Sequence, residues 1–291
     1  MADTIVVIAA GEMGSGIGKR LSERGARVLT SLKGRGAGSK ARAAAAGMQD
    51  VASDDELVAQ ADFILSVVPP GDAVALAERL RGPLNKAQRK PIYVDCNAIA
   101  PQTAADIGAV LKDTGAPYVD GGIIGGPPGG DYSPSVYVSG ARANDVKKLN
   151  DYGLKTRVVK GDIGAASALK MSYAGITKGV TAIGCALALG ASRFGIAEEL
   201  KAELSESQQQ LMTRFARQIP AMYPKAYRWV AEMEEIAKFL GEDSAASDMF
   251  LGIATLYDRL AAGVDGTSKP GAADIAALTA FCATEGARKA G

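Results

Sequence analysis

Residues 1–163 alternate two kinds of apolar pattern, and residues 164–291 carry only one. In the first stretch, short continuous apolar runs at 4–10, 27–32, 62–68, 91–95, 118–120, 136–138 and 157–159 are separated by segments of helical period. Unbroken β-branched runs mark strands buried on both faces. Such strands alternating with helices build a doubly wound parallel sheet. From residue 164 on, helical patterns cover about 164–192, 196–218, 221–240, 243–263 and 271–289, with breaks near Gly195, Pro220, Gly241 and Pro270. The expectation is an α/β domain over 1–163 and an all-α domain over 164–291.

Composition narrows the chemistry. The chain contains no histidine, so proton transfer must use Lys, Tyr, Cys, Asp or Glu, and the common His-based triads and zinc motifs are excluded. No metal site is expected. The net charge of +1 gives no electrostatic case for a nucleic-acid or anionic-membrane partner. Cys96, Cys185 and Cys282 are far apart and odd in number, which fits free thiols in a reducing compartment and a cytoplasmic protein. The longest charge-free apolar run lies between Lys178 and Arg193, short for a bilayer span and suited to a buried helix.

The first strand runs into Gly11-Glu-Met-Gly-Ser-Gly-Ile-Gly18 and then a helix. A glycine-rich turn in that setting lets backbone approach a pyrophosphate, and the helix N-terminus offers N–H groups and the positive end of its dipole. Gly11, Glu12, Met13 and Gly14 are therefore expected to bind a dinucleotide in a Rossmann-type domain. After the second strand, a nicotinamide fold that prefers NAD places an acid against the ribose 2′-hydroxyl. Here the segment is Ser31-Leu-Lys33-Gly-Arg35, with no acid and two cations, which points to a 2′-phosphate and NADP. Val68 and Pro69, ending the strand at 62–68, and Asn97, beyond the strand at 91–95, complete the expected cofactor contacts. The loop 121–130 holds six glycines at another strand end.

Residues 163–178 open the helical half. At helical spacing Ser167, Lys170, Tyr173 and Thr177 lie along one face of an otherwise apolar, alanine-rich segment. Alone, this reads as a lysine whose amine reaches solvent and a tyrosine in the core. Next to a dinucleotide-binding half, it reads as an acid–base group at a reaction centre.

Four motifs in order resemble the 3-hydroxyacid dehydrogenase and 6-phosphogluconate dehydrogenase superfamily. Residues 9–14 match its Gly-x-Gly-x-Met-Gly turn, with Ala9 for the first glycine. Residues 95–101 resemble Asp-x-Ser-Thr-x-x-Pro. Residues 120–126 resemble the substrate-binding Asp-x-x-x-Ser-Gly-Gly. Residues 164–170 resemble Gly-x-Gly-x-x-x-Lys. Residues 228–237 are similar to a less characterised phosphogluconate-dehydrogenase-like branch. The glycine-rich 120–128 segment also looks like that of imine reductases. Two positions depart from the pattern: Ile124 replaces the substrate-binding serine, and Tyr173 or Ala174 stands where the family has His or Asn.

The resemblance implies an NADP-dependent oxidoreductase that interconverts a small 3-hydroxy acid, or a related hydroxy compound, and its keto form. Lys170 would be the general acid/base, and Tyr173 would line the pocket and assist proton transfer. Asn97 would meet substrate or nicotinamide. Asp120, Ile124, Gly125, Gly126 and Thr177 would form the substrate site, the two glycines holding a carboxylate through backbone N–H groups. It also implies a homodimer. Two other functions fit the residues: an NADPH-dependent imine reductase, and a non-catalytic dinucleotide-binding sensor.

Overall fold

The computed structural model describes residues 2–241 and 244–283. The strands are β1 (Thr4–Ile8), β2 (Arg27–Thr30), β3 (Gln49–Asp50), β4 (Phe63–Ser66), β5 (Ile92–Asp95), β6 (Tyr118–Ile124), β7 (Ser135–Ser139) and β8 (Lys155–Val158). The helices between them are α1 (Glu12–Glu23), α2 (Ala37–Ala45), α3 (Asp54–Gln60), α4 (Ala73–Lys86) and α5 (Pro101–Leu111). Beyond the sheet come α6 (Ala165–Arg193), α7 (Ala197–Ser207), α8 (Gln209–Met222), α9 (Ala226–Leu240), α10 (Ala245–Val264) and α11 (Lys269–Cys282). The expected α/β-then-all-α architecture is the observed one. Of the last predicted helical pattern, residues 284–289 lie outside the described residues, as does residue 243 of the one before it.

The strands form one sheet in the order β3-β2-β1-β4-β5-β6-β7-β8. All neighbours are parallel except β6 and β7. The side-chain period of two explains why the strands read as unbroken apolar runs. On β1, Ile5 and Val7 enter one core cluster with Ile17 and Leu21 of α1. Val6 and Ile8 point to the other face and pack with Leu57, Leu76, Leu80 and Ile107 of α3, α4 and α5.

Three local readings change. The two-residue strand β3 and the short α3 after it carry too little pattern to be read from sequence. The segment of helical period between the runs at 136–138 and 157–159 is a 3-10 segment, Ala143–Asn150. The pattern over 196–218 is two helices that meet at Gln208, and Pro220 sits inside the last turn of α8.

The chain divides into two compact units between Met171 and Ser172, within α6. The boundary expected at 163/164 lies at the start of that helix; Lys170 falls in the first unit, and Tyr173 and Thr177 in the second. α6 is 29 residues long and, by length and hydropathy, the one described helix able to span a membrane, yet 56% of its most apolar window is buried in protein. In the second unit, Lys178 of α6 pairs with Glu232 of α9. The lysine amine lies 4.7 Å from the centre of the Trp229 ring, which meets Tyr257 of α10 edge-on at 5.2 Å.

Candidate functional site

The strand order reverses between β1 and β4, and in open α/β sheets ligands bind beyond the carboxyl ends of the strands at that point. The residues that end β1, β2, β4, β5 and β6 therefore define the site within the first unit.

At the end of β1, Gly11 is the N-cap of α1 and no side chain caps the helix. Gly14 is buried in the first turn, and a Cβ there would overlap the carbonyl oxygen of Ala9. Strand exit and helix entrance are thus packed backbone to backbone. The helix end has no side-chain cap, and Gly11 and Gly14 leave its backbone open to close approach, a shape that fits a pyrophosphate.

Beyond β2, Lys33 and Arg35 are exposed on a turn closed by Arg35 N–H donating to Leu32 C=O at 3.0 Å. The sequence places no acid after this strand, but pairing of β3 with β2 brings Asp50 there. Its Oδ1 accepts from Leu32 N–H at 2.8 Å. Arg42 of α2 also reaches the site, donating from Nε to Ala10 C=O at 3.1 Å and from a terminal nitrogen to Ser39 Oγ at 3.2 Å. Neither residue carried a sequence signal, because each depends on which elements become neighbours.

Between β4 and β5, Asn97 is buried and spans the gap. Its Oδ1 accepts from Val68 N–H at 2.6 Å, and its Nδ2 donates to Ser66 Oγ at 2.7 Å and to Asp95 Oδ2 at 2.8 Å. Both amide hydrogens are engaged, so Asn97 braces the strand ends that carry Val68 and Pro69. Only its second Oδ1 lone pair remains for a ligand. Asp95 also accepts from Asn97 N–H at 2.8 Å. Burial nevertheless pushes its carboxyl up to about 7: the bonds from Asn97 offset that in part, and the neighbouring Asp120 charge adds to it. Burial also raises the Cys96 thiol far above its ordinary value, which makes it unreactive.

Asp120 is fully buried in β6 and caps α6 from outside the helix. Its Oδ2 accepts from Gly164 N–H at 2.9 Å, from Ala166 and Ser167 N–H at 3.1 Å each, and from Ser139 Oγ at 2.9 Å. Its Oδ1 accepts from Ser167 Oγ at 2.5 Å. A carboxylate at a helix N-terminus satisfies orphan N–H groups and complements the dipole. Asp120 thus holds α6 to the sheet rather than presenting its charge to a ligand. Lys170 follows one turn later, half-buried, with its stem lying over Gly122 of the same strand. A Cβ on Gly122 would come within 2.8 Å of Lys170 Cβ.

Beyond β6, Ile124 is followed by Gly125, whose φ of +131° favours glycine, and by Gly126, whose N–H donates to the Tyr132 hydroxyl at 3.1 Å. Tyr173 and Thr177 lie further along α6 in the second unit. Tyr173 is exposed, and Thr177 Oγ1 donates to Tyr173 C=O at 2.9 Å, within the helix. The fold therefore groups Asp120, Gly122, Ser167 and Lys170 in one cluster, and Val68, Asn97 and Asp95 in another.

The family described as the NAD-binding domain of 6-phosphogluconate dehydrogenase matches residues 4–152. A family described only as a domain of unknown function matches residues 191–260. Among solved structures, the chain is 27% identical to a conserved protein of unknown function whose structure is similar to 3-hydroxyacid dehydrogenases. That match covers 88% of this chain and 96% of the other, with a TM-score of 0.67. A Mycobacterium tuberculosis 3-hydroxyisobutyrate dehydrogenase with L-serine shares the fold at 19% identity and a TM-score of 0.70, over 97% of this chain and all of that one. So does a Myxococcus stipitatus imine reductase variant in complex with NAD+, at 22% identity and a TM-score of 0.57 over 97% of this chain and all of that one.

Proposed function

The chain belongs to the family of the NAD-binding domain of 6-phosphogluconate dehydrogenase, and from that premise we propose that it is an NADP-dependent oxidoreductase interconverting a small 3-hydroxy acid and its keto form. The observation that carries the reading is Lys170. In a chain without histidine, this lysine is held one turn into a helix that Asp120 anchors to the sheet, with its stem against Gly122. When bound, the nicotinamide supplies or takes up the hydride. The glycine turn 11–14 receives the pyrophosphate. Lys33 and Arg35 meet the 2′-phosphate, Arg42 is held at Ala10 C=O, and the carboxylate of Asp50 is engaged with Leu32 N–H. The Lys170 ammonium gives a proton to the substrate carbonyl oxygen during reduction, and the amine takes it back from the hydroxyl during oxidation.

Three buried, free cysteines support a cytoplasmic setting, and the exposed apolar stripe of α6 in the second unit supports a homodimer. Imine reduction is the second reading, favoured by the exposed phenol of Tyr173 one turn beyond Lys170.

The test is Lys170→Met, which keeps an apolar stem and removes the proton. Turnover of 3-hydroxyisobutyrate should fall by roughly two to four orders of magnitude, with dinucleotide affinity unchanged. Full turnover in this variant would refute the role. A large loss in Tyr173→Phe with only a modest one in Lys170→Met would move the reaction to imines.

A further inference from the structure

The loop after β6 is built back onto the dinucleotide-binding helix. Pro127 and Pro128 pack on Gly16 of α1, where a Cβ would come within 3.1 Å of each. Arg20 of α1 is only 8% exposed and donates to the carbonyls of Gly130 at 2.6 Å and Tyr132 at 3.1 Å. Tyr132 also exchanges two backbone bonds with Gly129, at 2.9 and 3.0 Å. Its main chain is thus pinned from two sides.

Its side chain turns back over the start of the loop. The hydroxyl accepts from Gly126 N–H, and a Cβ on Gly125 would overlap the same oxygen. The phenol therefore lies across the two glycines that follow Ile124. Tyr132 nevertheless stays 49% exposed. A phenol oxygen that accepts an N–H keeps its own proton, and among the described residues no acceptor takes that proton. Tyrosine with a fixed backbone and a wet tip presents a hydroxyl with little entropy left to lose. Ile124 offers no hydroxyl at the head of this loop. Tyr132 brings one from its far end.

We infer that Tyr132 is a substrate-binding residue whose O–H, oriented by Gly126, donates to the carboxylate of a small acid. The inference rests on the hydroxy-acid reading of the site. It also revises how the glycines act. The Gly126 N–H reaches the acid through the phenol, and selectivity for a charged over a neutral substrate depends on a side chain outside the glycine segment.

The experiment uses full-length protein loaded with whichever reduced dinucleotide it binds more tightly. Titration calorimetry then measures 3-hydroxyisobutyrate and its primary amide, which cannot react with a reduced cofactor. Tyr132→Phe should weaken the acid roughly tenfold to a hundredfold, the range for one hydrogen bond to a charged group. The amide should change less than about threefold, and dinucleotide affinity should be unaltered. An unchanged affinity for the acid overturns the inference. So does equal weakening of acid and amide, which would mean that the loop has merely loosened, and so does parent protein that binds neither probe. Parent protein that binds the acid through Tyr132 but fails to oxidise it with either oxidised dinucleotide supports the inference and overturns the proposed reaction.

Discussion

Asp95 ends β5, Asp120 lies within the neighbouring β6, and the two differ in how many donors meet them. Asp120 has five donors around its carboxylate. Asp95 relies on the backbone and side-chain N–H groups of Asn97 and on the Ser66 hydroxyl, and burial holds its carboxyl up to about 7. Because this value lies above the ordinary carboxylate range, the folded chain binds more protons than the unfolded chain between about pH 4 and 7. The Asp95 contribution to stability therefore falls as pH rises through that window and is level above it. The melting temperature should drop from pH 5 to pH 8, and Asp95→Asn should shrink that drop, as scanning calorimetry would read. An equal drop in both proteins would mean that Asp95 ionises normally. Lys33 and Arg35 belong to the same scale. If they hold a 2′-phosphate, the parent binds NADPH more tightly than NADH, and the double change to Ala closes most of the gap. Each charged hydrogen bond is worth about 1.5–3 kcal/mol before solvent screening. Equal affinities in the parent, measured by fluorescence titration, would remove the NADP assignment.

At the level of elements, α1 is the piece that the others meet. Its first turn touches the exit of β1, its middle supports the prolines of the 125–134 loop through Gly16, and Arg20 holds that loop by two carbonyls. Gly14 is the tightest of these contacts, since any Cβ meets Ala9 C=O. Gly14→Val should push α1 away from β1 and weaken dinucleotide binding by at least about a hundredfold, about 2.7 kcal/mol. Circular dichroism should show the helical content retained. Undiminished affinity would show that the turn is structural only.

For the whole molecule, α6 sets the terms. In the second unit one of its faces is packed, with Lys178 tied to Glu232 and its carbonyl accepting from Tyr257 Oη at 2.7 Å. The other face carries Tyr173, Ile176, Val180, Ile183 and Leu187 at alternating steps of three and four residues, and Phe194 follows just beyond the helix end. Ile176 is 66% exposed, Leu187 65% and Phe194 85%. A seven-residue apolar repeat is the seam by which one helix packs along another. Left in water, such a stripe marks an interaction surface. The protein should therefore run at twice its chain mass in light scattering, and Ile176→Asp with Leu187→Asp should give monomer. A monomeric parent would refute the homodimer.

What could be read from the chain alone was whatever depends on neighbours in sequence. The β-branched runs, the glycine turn after β1 and the change to helices at residue 164 are local patterns, because side-chain period and turn chemistry act over a few residues. The fold class follows from them. The partners of each site residue required the folded sheet. Asp50 arrives beside Leu32 only because β3 pairs with β2, and Asn97 becomes a brace only because β4 and β5 are adjacent. Asp120 sits in a motif that resembles a substrate site, yet its charge is consumed by α6, more than 40 residues on. The hydroxyl that meets Gly126 comes from Tyr132 because a buried arginine on α1 folds the loop back. Hydrogen bonds form between groups that burial brings together, and burial is decided by the packing of distant segments.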